Sequence, residues 1–173
     1  MPMDLHYAHD PDMKGIVVAT DGSAAAAAAL DEAIAIAQGT GDRLAVITVW
    51  RALQGDFGLA YPSGALLNEL LDAERDHAES ALSDAVARAQ AAGVTAVTRL
   101  ATGDPAERIC AYAAETDARM IAMGSRGYGT VASLLLGSVS GEVLRKAPCP
   151  VLVVREPAAR TGQDSHAQVA AGG

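Results

Sequence analysis

Short apolar runs separated by longer polar or alanine-rich stretches set the rhythm of this chain. Gly15–Thr20 (GIVVAT) and Leu44–Trp50 (LAVITVW) are nearly continuous in apolar residues and rich in β-branched ones, the pattern of strands covered on both faces. Ala118–Met123 and Val151–Arg155 repeat it. Val94–Ala101 is weaker, with Val94, Ala96, Val97 and Leu100 among polar neighbours, and predicts a more exposed strand. Helical signals fill the gaps. Ser23 is placed to cap an alanine-rich helix through Gln38, which Gly39 and Gly41 close. A long helix is expected from about Ser63 to Ala92, with Leu66, Leu67, Leu70, Leu71, Leu82 and Val86 as its apolar side and Gly93 at its end. Asp104 and Pro105 suit the cap and first position of a third helix. Ser138–Lys146 reads as a fourth, stopping before Pro148 and Pro150.

Strands alternating with helices imply an α/β fold: an open, parallel, five-stranded sheet with helices on both faces. Such sheets take ligands beyond the carboxyl ends of their strands, near the point where strand order reverses. That edge would hold Asp21 after the first strand, Val49 near the end of the second and Gly124 after the fourth. The folded part is expected to span residues 14–156, behind a flexible leader at 1–13 and ahead of a disordered tail at 157–173. Arg51–Pro62 carries Gly55, Gly58 and Pro62 and reads as a loop long enough to form a lid or a flap.

Composition narrows the functions that such a fold can serve. The 173 residues suit one domain, and 50% apolar content allows a packed core. With one Trp, one Phe and four Tyr, that core must be built from Ala, Val, Leu and Ile. A net charge of −8 without any Lys/Arg cluster argues against nucleic acid and anionic lipid as partners. Cys110 and Cys149 lack metal-ligand spacing and read as two buried free thiols in a reducing compartment. His6, His9, Asp4, Asp10 and Asp12 crowd the leader, where no scaffold fixes them for a metal. No secretory signal and no apolar run of membrane-spanning length is visible, so the cytoplasm is the expected location.

The chemical signal is concentrated between Gly124 and Ser140 (GSRGYGTVASLLLGSVS). Glycine directly after a buried strand lets a ligand approach the backbone. Gly137-Ser138 precedes a helix whose free N–H groups and positive dipole end suit a phosphate, and the Ser138 and Ser140 hydroxyls add donors there. At this glycine content the spacing arises by chance in on the order of 1–2% of chains.

The spacing Gly-x2-Gly-x9-Gly-Ser, from Gly124 through Gly127 to Gly137-Ser138, resembles the ATP-binding signature of the universal stress protein family. Ala19-Thr20-Asp21, Asp104-Pro105, Met123-Gly124-Ser125 and Ala147-Pro148-Cys149-Pro150-Val151 are similar to that family at corresponding places, so the likeness covers Lys14 to Arg155. The resemblance implies a Rossmann-like, adenine nucleotide alpha hydrolase-like fold. It places ATP, with Mg²⁺ on its phosphates, among Ala19, Thr20, Asp21 and Val49 at the adenine and ribose. Met123, Gly124, Arg126 and Gly127 would line the ribose and phosphate path, and Gly137, Ser138, Val139 and Ser140 would hold the phosphates. It further implies a homodimer joined through Val151, Leu152, Val153 and Val154.

Each residue also has a plainer reading. Asp21 fits an Asx-turn with Gly22, Val49 and Met123 fit the core, and Arg126 fits a solvated loop. Catalysis has little to draw on. There is no P-loop, no nucleophile elbow and no lysine inside the glycine-rich segment. His6, His9, His77 and His166 fall in the leader, the long helix and the tail, and His77 reads as a polar-face helix residue. The favoured reading is therefore a regulatory ATP-binding module, not an enzyme, with no catalytic or metal site. A slow ATP hydrolase, a cyclic AMP binder and a dimer that binds no nucleotide are the alternatives.

Overall fold

A computed structural model describes residues 15–50, 64–125 and 136–156. In chain order the elements are β1 (Gly15–Ala19), α1 (Ala24–Thr40), β2 (Arg43–Trp50), α2 (Gly64–Ala91), β3 (Ala96–Thr102), α3 (Pro105–Glu115), β4 (Met120–Gly124), α4 (Ser138–Lys146) and β5 (Val151–Val154). The strands form one parallel five-stranded sheet in the order β3-β2-β1-β4-β5. β3 and β4 each begin two residues later than their apolar runs, because Val94-Thr95 and Ala118-Arg119 lead in from the preceding helices. The leader, the Arg51–Pro62 loop, Arg126, Gly127 and the tail lie outside the described residues.

The helix ends follow local chemistry. Ser23 is extended (φ −70°, ψ 160°) and its Oγ accepts from Ala26 N, while Gly41 closes α1 at φ 75° with its N–H on the Ala37 carbonyl. Asp104 accepts from Glu107 N, and Pro105 opens α3 where no intrahelical donor is needed.

Two apolar layers cover the sheet. On one face Ile16, Val18, Leu44, Val46 and Ala122 meet Leu30, Ala33, Ile34 and Ala37 of α1 and Leu82, Ala85 and Ala89 of α2. On the other, Val17, Ala19, Ala45, Ile47, Ile121 and Met123 meet Ala106, Ile109, Tyr112 and Ala113 of α3 and Val143 of α4. The odd–even alternation along each strand thus sends successive side chains to opposite helical layers. Both outer strands are less covered, as the weak β3 pattern leads one to expect.

Two expectations are corrected. The apolar side of α2 is confined to its second half, where Ala78, Ala81, Leu82, Ala85 and Ala89 are buried. Leu66 and Leu70 remain 48% and 43% exposed, because the first turns of this 28-residue helix gain no comparable cover among the described residues. The two cysteines are free, as expected, but half-buried rather than buried.

α1 packs tightly against the end of β4. A Cβ built on Gly124 would lie 2.8 Å from both Ala25 C and Ala26 N and 3.0 Å from Ala25 Cβ. Backbone atoms cannot swing aside as a flexible side chain can, so this glycine is required by helix–sheet packing. Gly124→Ala is accordingly expected to destabilise the fold by about 1–3 kcal/mol, the usual cost of overpacking. Urea unfolding followed by circular dichroism measures it, and an unchanged midpoint would show that α1 has room to retreat.

Candidate functional site

β1 and β4 are neighbours at the point where the chain reverses its direction of travel across the sheet. β2 and β3 are laid down on one side of β1, and β4 and β5 on the other. The carboxyl ends of β1 and β4 are therefore the place where a sheet of this order offers a ligand crevice.

On the β1 side, the turn Thr20–Ser23 is shaped by its own side chains. Thr20 N donates to the Ile47 carbonyl at 3.0 Å, and the Thr48 hydroxyl donates to the Thr20 carbonyl at 2.8 Å. Asp21 Oδ1 accepts from Ser23 N at 3.0 Å, and Thr20 Oγ1 accepts from Gly22 N at 3.2 Å. The Asx-turn reading of Asp21 is thus realised. One Asp21 oxygen shapes the turn, and a carboxylate has several acceptor positions in all.

His77 enters this site from α2, contrary to its expected place on a remote polar face. Its Nε2 donates to the Asp21 carbonyl over 3.2 Å. Gly22 lies beside the ring, where a Cβ would sit at ordinary contact distance, 3.4 Å from His77 Nε2 and from Ala81 Cβ, so its φ of +79° rather than space calls for glycine. Nothing in a regular helical pattern announces such a contact. The nearest signal is His77 standing one residue before Ala78, the first buried residue of α2.

On the β4 side, the first turn of α4 is fastened to the sheet through Ser125. Its N–H donates to the Val154 carbonyl at 2.7 Å, and its carbonyl accepts from Gly137 N at 2.7 Å. The Ser140 hydroxyl reaches the carbonyls of Ser125 at 3.0 Å and Gly137 at 3.1 Å. Gly137 is the N-cap, extended at φ −73° and ψ 163°, and no side chain caps it. Any residue adopts that conformation, so a positive φ is no part of its role. The first helical bond runs from Gly141 N to the Gly137 carbonyl at 2.9 Å, so the N–H groups of Ser138, Val139 and Ser140 precede the intrahelical ladder.

The structure thus brings Ala19, Thr20, Asp21, Val49, Met123 and Gly124 to one edge of the sheet, with α4 beginning after β4 on the same side. Several of these side chains serve the core. Ala19 and Met123 are buried at 8% and 4% exposure, and Val49 and Val139 pack against the same cluster. Gly124 meets α1, not open space. Ser138 is exposed, whereas Ser140 is buried, which corrects the expectation of two hydroxyls at one spot. Arg126 and Gly127 lie outside the described residues.

The groups whose ionisation the fold perturbs do not form an acid–base pair at this edge. Burial pushes the Tyr112, Cys110 and Cys149 protons towards staying on. The Thr40 hydroxyl, helped by Arg119, lowers Asp42 at the amino end of β2. Among the described residues no group of three or more His, Cys, Asp or Glu side chains could hold a metal ion. Among them too, no helix is long and apolar enough to cross a membrane.

Comparison with known proteins gives this geometry a family. The family model described as "Universal stress protein family" matches residues 13–155. A universal stress protein of Thermus aquaticus is 40% identical over 142 residues, covering 82% of this chain and 98% of that relative. The solved structure of universal stress protein UspA from Lactobacillus plantarum superposes with a TM-score of 0.70 at 31% identity, over 83% of this chain and 98% of the other. A universal stress protein solved in complex with cAMP aligns with a TM-score of 0.63 at 30% identity, over 84% of this chain and 99% of the other. The chain belongs to the universal stress protein family.

Proposed function

We propose that the protein binds ATP in the crevice between β1 and β4 and acts as a nucleotide-dependent regulatory module in the stress response. The observation that carries this reading is the start of α4, where Gly137 caps the helix without a side chain and three N–H groups stand ahead of the ladder. An anion is the natural partner for such an end. In this reading the phosphates rest on the N–H groups of Ser138, Val139 and Ser140 and on the Ser138 hydroxyl. Asp21, Thr20 and the Val49 backbone meet the adenine and ribose, while Ala19, Met123, Gly124, Arg126 and Gly127 border the path between. Mg²⁺ would ride on the ATP phosphates, since it keeps several waters and needs no all-protein cage. The cytoplasm, where ATP is available, is the proposed location.

Cyclic AMP is the second reading, favoured by the similar protein solved with that ligand. Calorimetry with ATP, ADP, AMP and cyclic AMP separates the two, and mass spectrometry of whatever the denatured protein releases identifies a resident ligand. ATP is expected to bind most tightly; absence of heat with every nucleotide would sink the proposal. Gly137→Val places a side chain where the phosphate is to approach. It should lower affinity at least about tenfold, equivalent to ~1.4 kcal/mol, in a variant that still folds. Asp21→Ala should cost less, about 1 kcal/mol for one hydrogen bond.

The protein is also proposed to turn ATP over negligibly without a partner, because no lysine lies in the glycine-rich segment and His77, the imidazole at this site, engages the Asp21 carbonyl through Nε2. Steady-state phosphate release at rates on the order of 1–100 s⁻¹, as in kinases, would overturn this.

A homodimer through β5 completes the proposal. Ile121 N bonds the Pro150 carbonyl and Ser125 N bonds the Val154 carbonyl, so the even-numbered residues of β5 face β4. By alternation Val151 and Val153 direct their backbone groups to the open edge of the sheet, where a second copy can pair about a two-fold axis. Val153→Pro removes an outward donor and should shift the species towards monomer in sedimentation velocity. A monomeric wild type, or a folded variant that stays dimeric, would place the interface elsewhere.

A further inference from the structure

Ser140 sits in the first turn of α4, where a hydroxyl is readily assigned to a bound phosphate, yet its side chain points into the protein. The residue is 2% exposed. Its Oγ lies 3.0 Å from the Ser125 carbonyl oxygen and 3.1 Å from the Gly137 carbonyl oxygen. A carbonyl only accepts, so the single hydroxyl proton is spent between these two oxygens. The Ser125 carbonyl also takes the Gly137 N–H at 2.7 Å, while the Ser125 N–H is fixed on Val154 at 2.7 Å. Ser125 is thereby held through its N–H by the sheet and through its carbonyl by α4.

We propose that Ser140 is a positioning residue: its hydroxyl locks the first turn of α4 onto the Ser125 carbonyl and so aims the N–H groups of Ser138, Val139 and Ser140, without itself touching the ligand. Pre-aimed donors bind an anion more tightly because less ordering remains to be done on binding. The exposed Ser138 hydroxyl is then the only serine side chain of this turn free to meet a phosphate. The inference deepens the proposed nucleotide site and rests on it for the effect on affinity, but the lock itself exists without any ligand.

The experiment compares wild type with Ser140→Ala, Ser140→Thr and Ser138→Ala. Backbone amide hydrogen exchange at Gly137 is measured without nucleotide, and ATP affinity by calorimetry. In Ser140→Ala the Gly137 amide should exchange roughly tenfold faster and ATP affinity should fall by a similar factor, the scale of one buried hydrogen bond. Ser140→Thr, which keeps the hydroxyl, should restore both. Ser138→Ala should leave Gly137 exchange at the wild-type rate. Ser140→Ala with unchanged exchange overturns the lock, and lost affinity in that case marks the hydroxyl as a direct ligand. If Ser140→Ala does not fold, slowed exchange in Ser140→Thr relative to Ser140→Cys tests the same hydroxyl, and equal exchange in those two overturns it. Should wild type bind no adenine nucleotide, the proposed function fails while the exchange difference still decides the lock.

Discussion

At the end of β4 the Gly124 backbone lies against the first turn of α1, with no space between them for even a methyl group. This close approach ties together the two halves of the crevice. α1 begins immediately after the Thr20–Ser23 turn, so fixing its first turn against β4 fixes the turn beside the start of the segment leading to α4. Ser125, the next residue, then hands the constraint on through its two backbone bonds to β5 and to Gly137. A displaced α1 would move both walls of the crevice together.

The same economy of volume runs through the interior. In the layer over Ile16, Val18, Leu44 and Val46, Ala33 and Ala37 of α1 and Ala85 and Ala89 of α2 alternate with Leu30, Ile34 and Leu82. Alanine loses no side-chain rotamer freedom on burial, and it lets helix axes lie near the sheet. The cost is that each contact buries little area, so many must act together. The strands supply the large side chains that are most completely buried, Ile16, Leu44, Ile47 and Ile121.

The sheet and its covering helices were legible in the sequence because apolar runs and caps are local signals. Ser23, Gly41, Asp104 and Pro105 act within a few residues of themselves, and the structure uses each as its chemistry suggests. What depended on distant neighbours was not legible. A glycine that admits a ligand and one that admits a helix look identical in a motif, and Gly124 proves to admit α1. Leu66 and Leu70 repeat at helical spacing, but periodicity does not say where the sheet beneath a helix stops. His77 stands 56 residues from Asp21, and Ser140 stands 15 from Ser125, so neither hydrogen bond has a local signature. The candidate site was thus readable as a region, while the direction each side chain takes within it was not.

Trp50 ends β2, half-buried and paired with Thr102 at the carboxyl edge of the sheet. It is the only tryptophan in the chain. Indole emission from this protein therefore comes from a single place, two residues beyond the Thr48 whose hydroxyl holds the Thr20 carbonyl. The molecule carries its own optical label at the carboxyl edge of the sheet, one strand away from β1, and changes in its fluorescence report on that edge without any added dye.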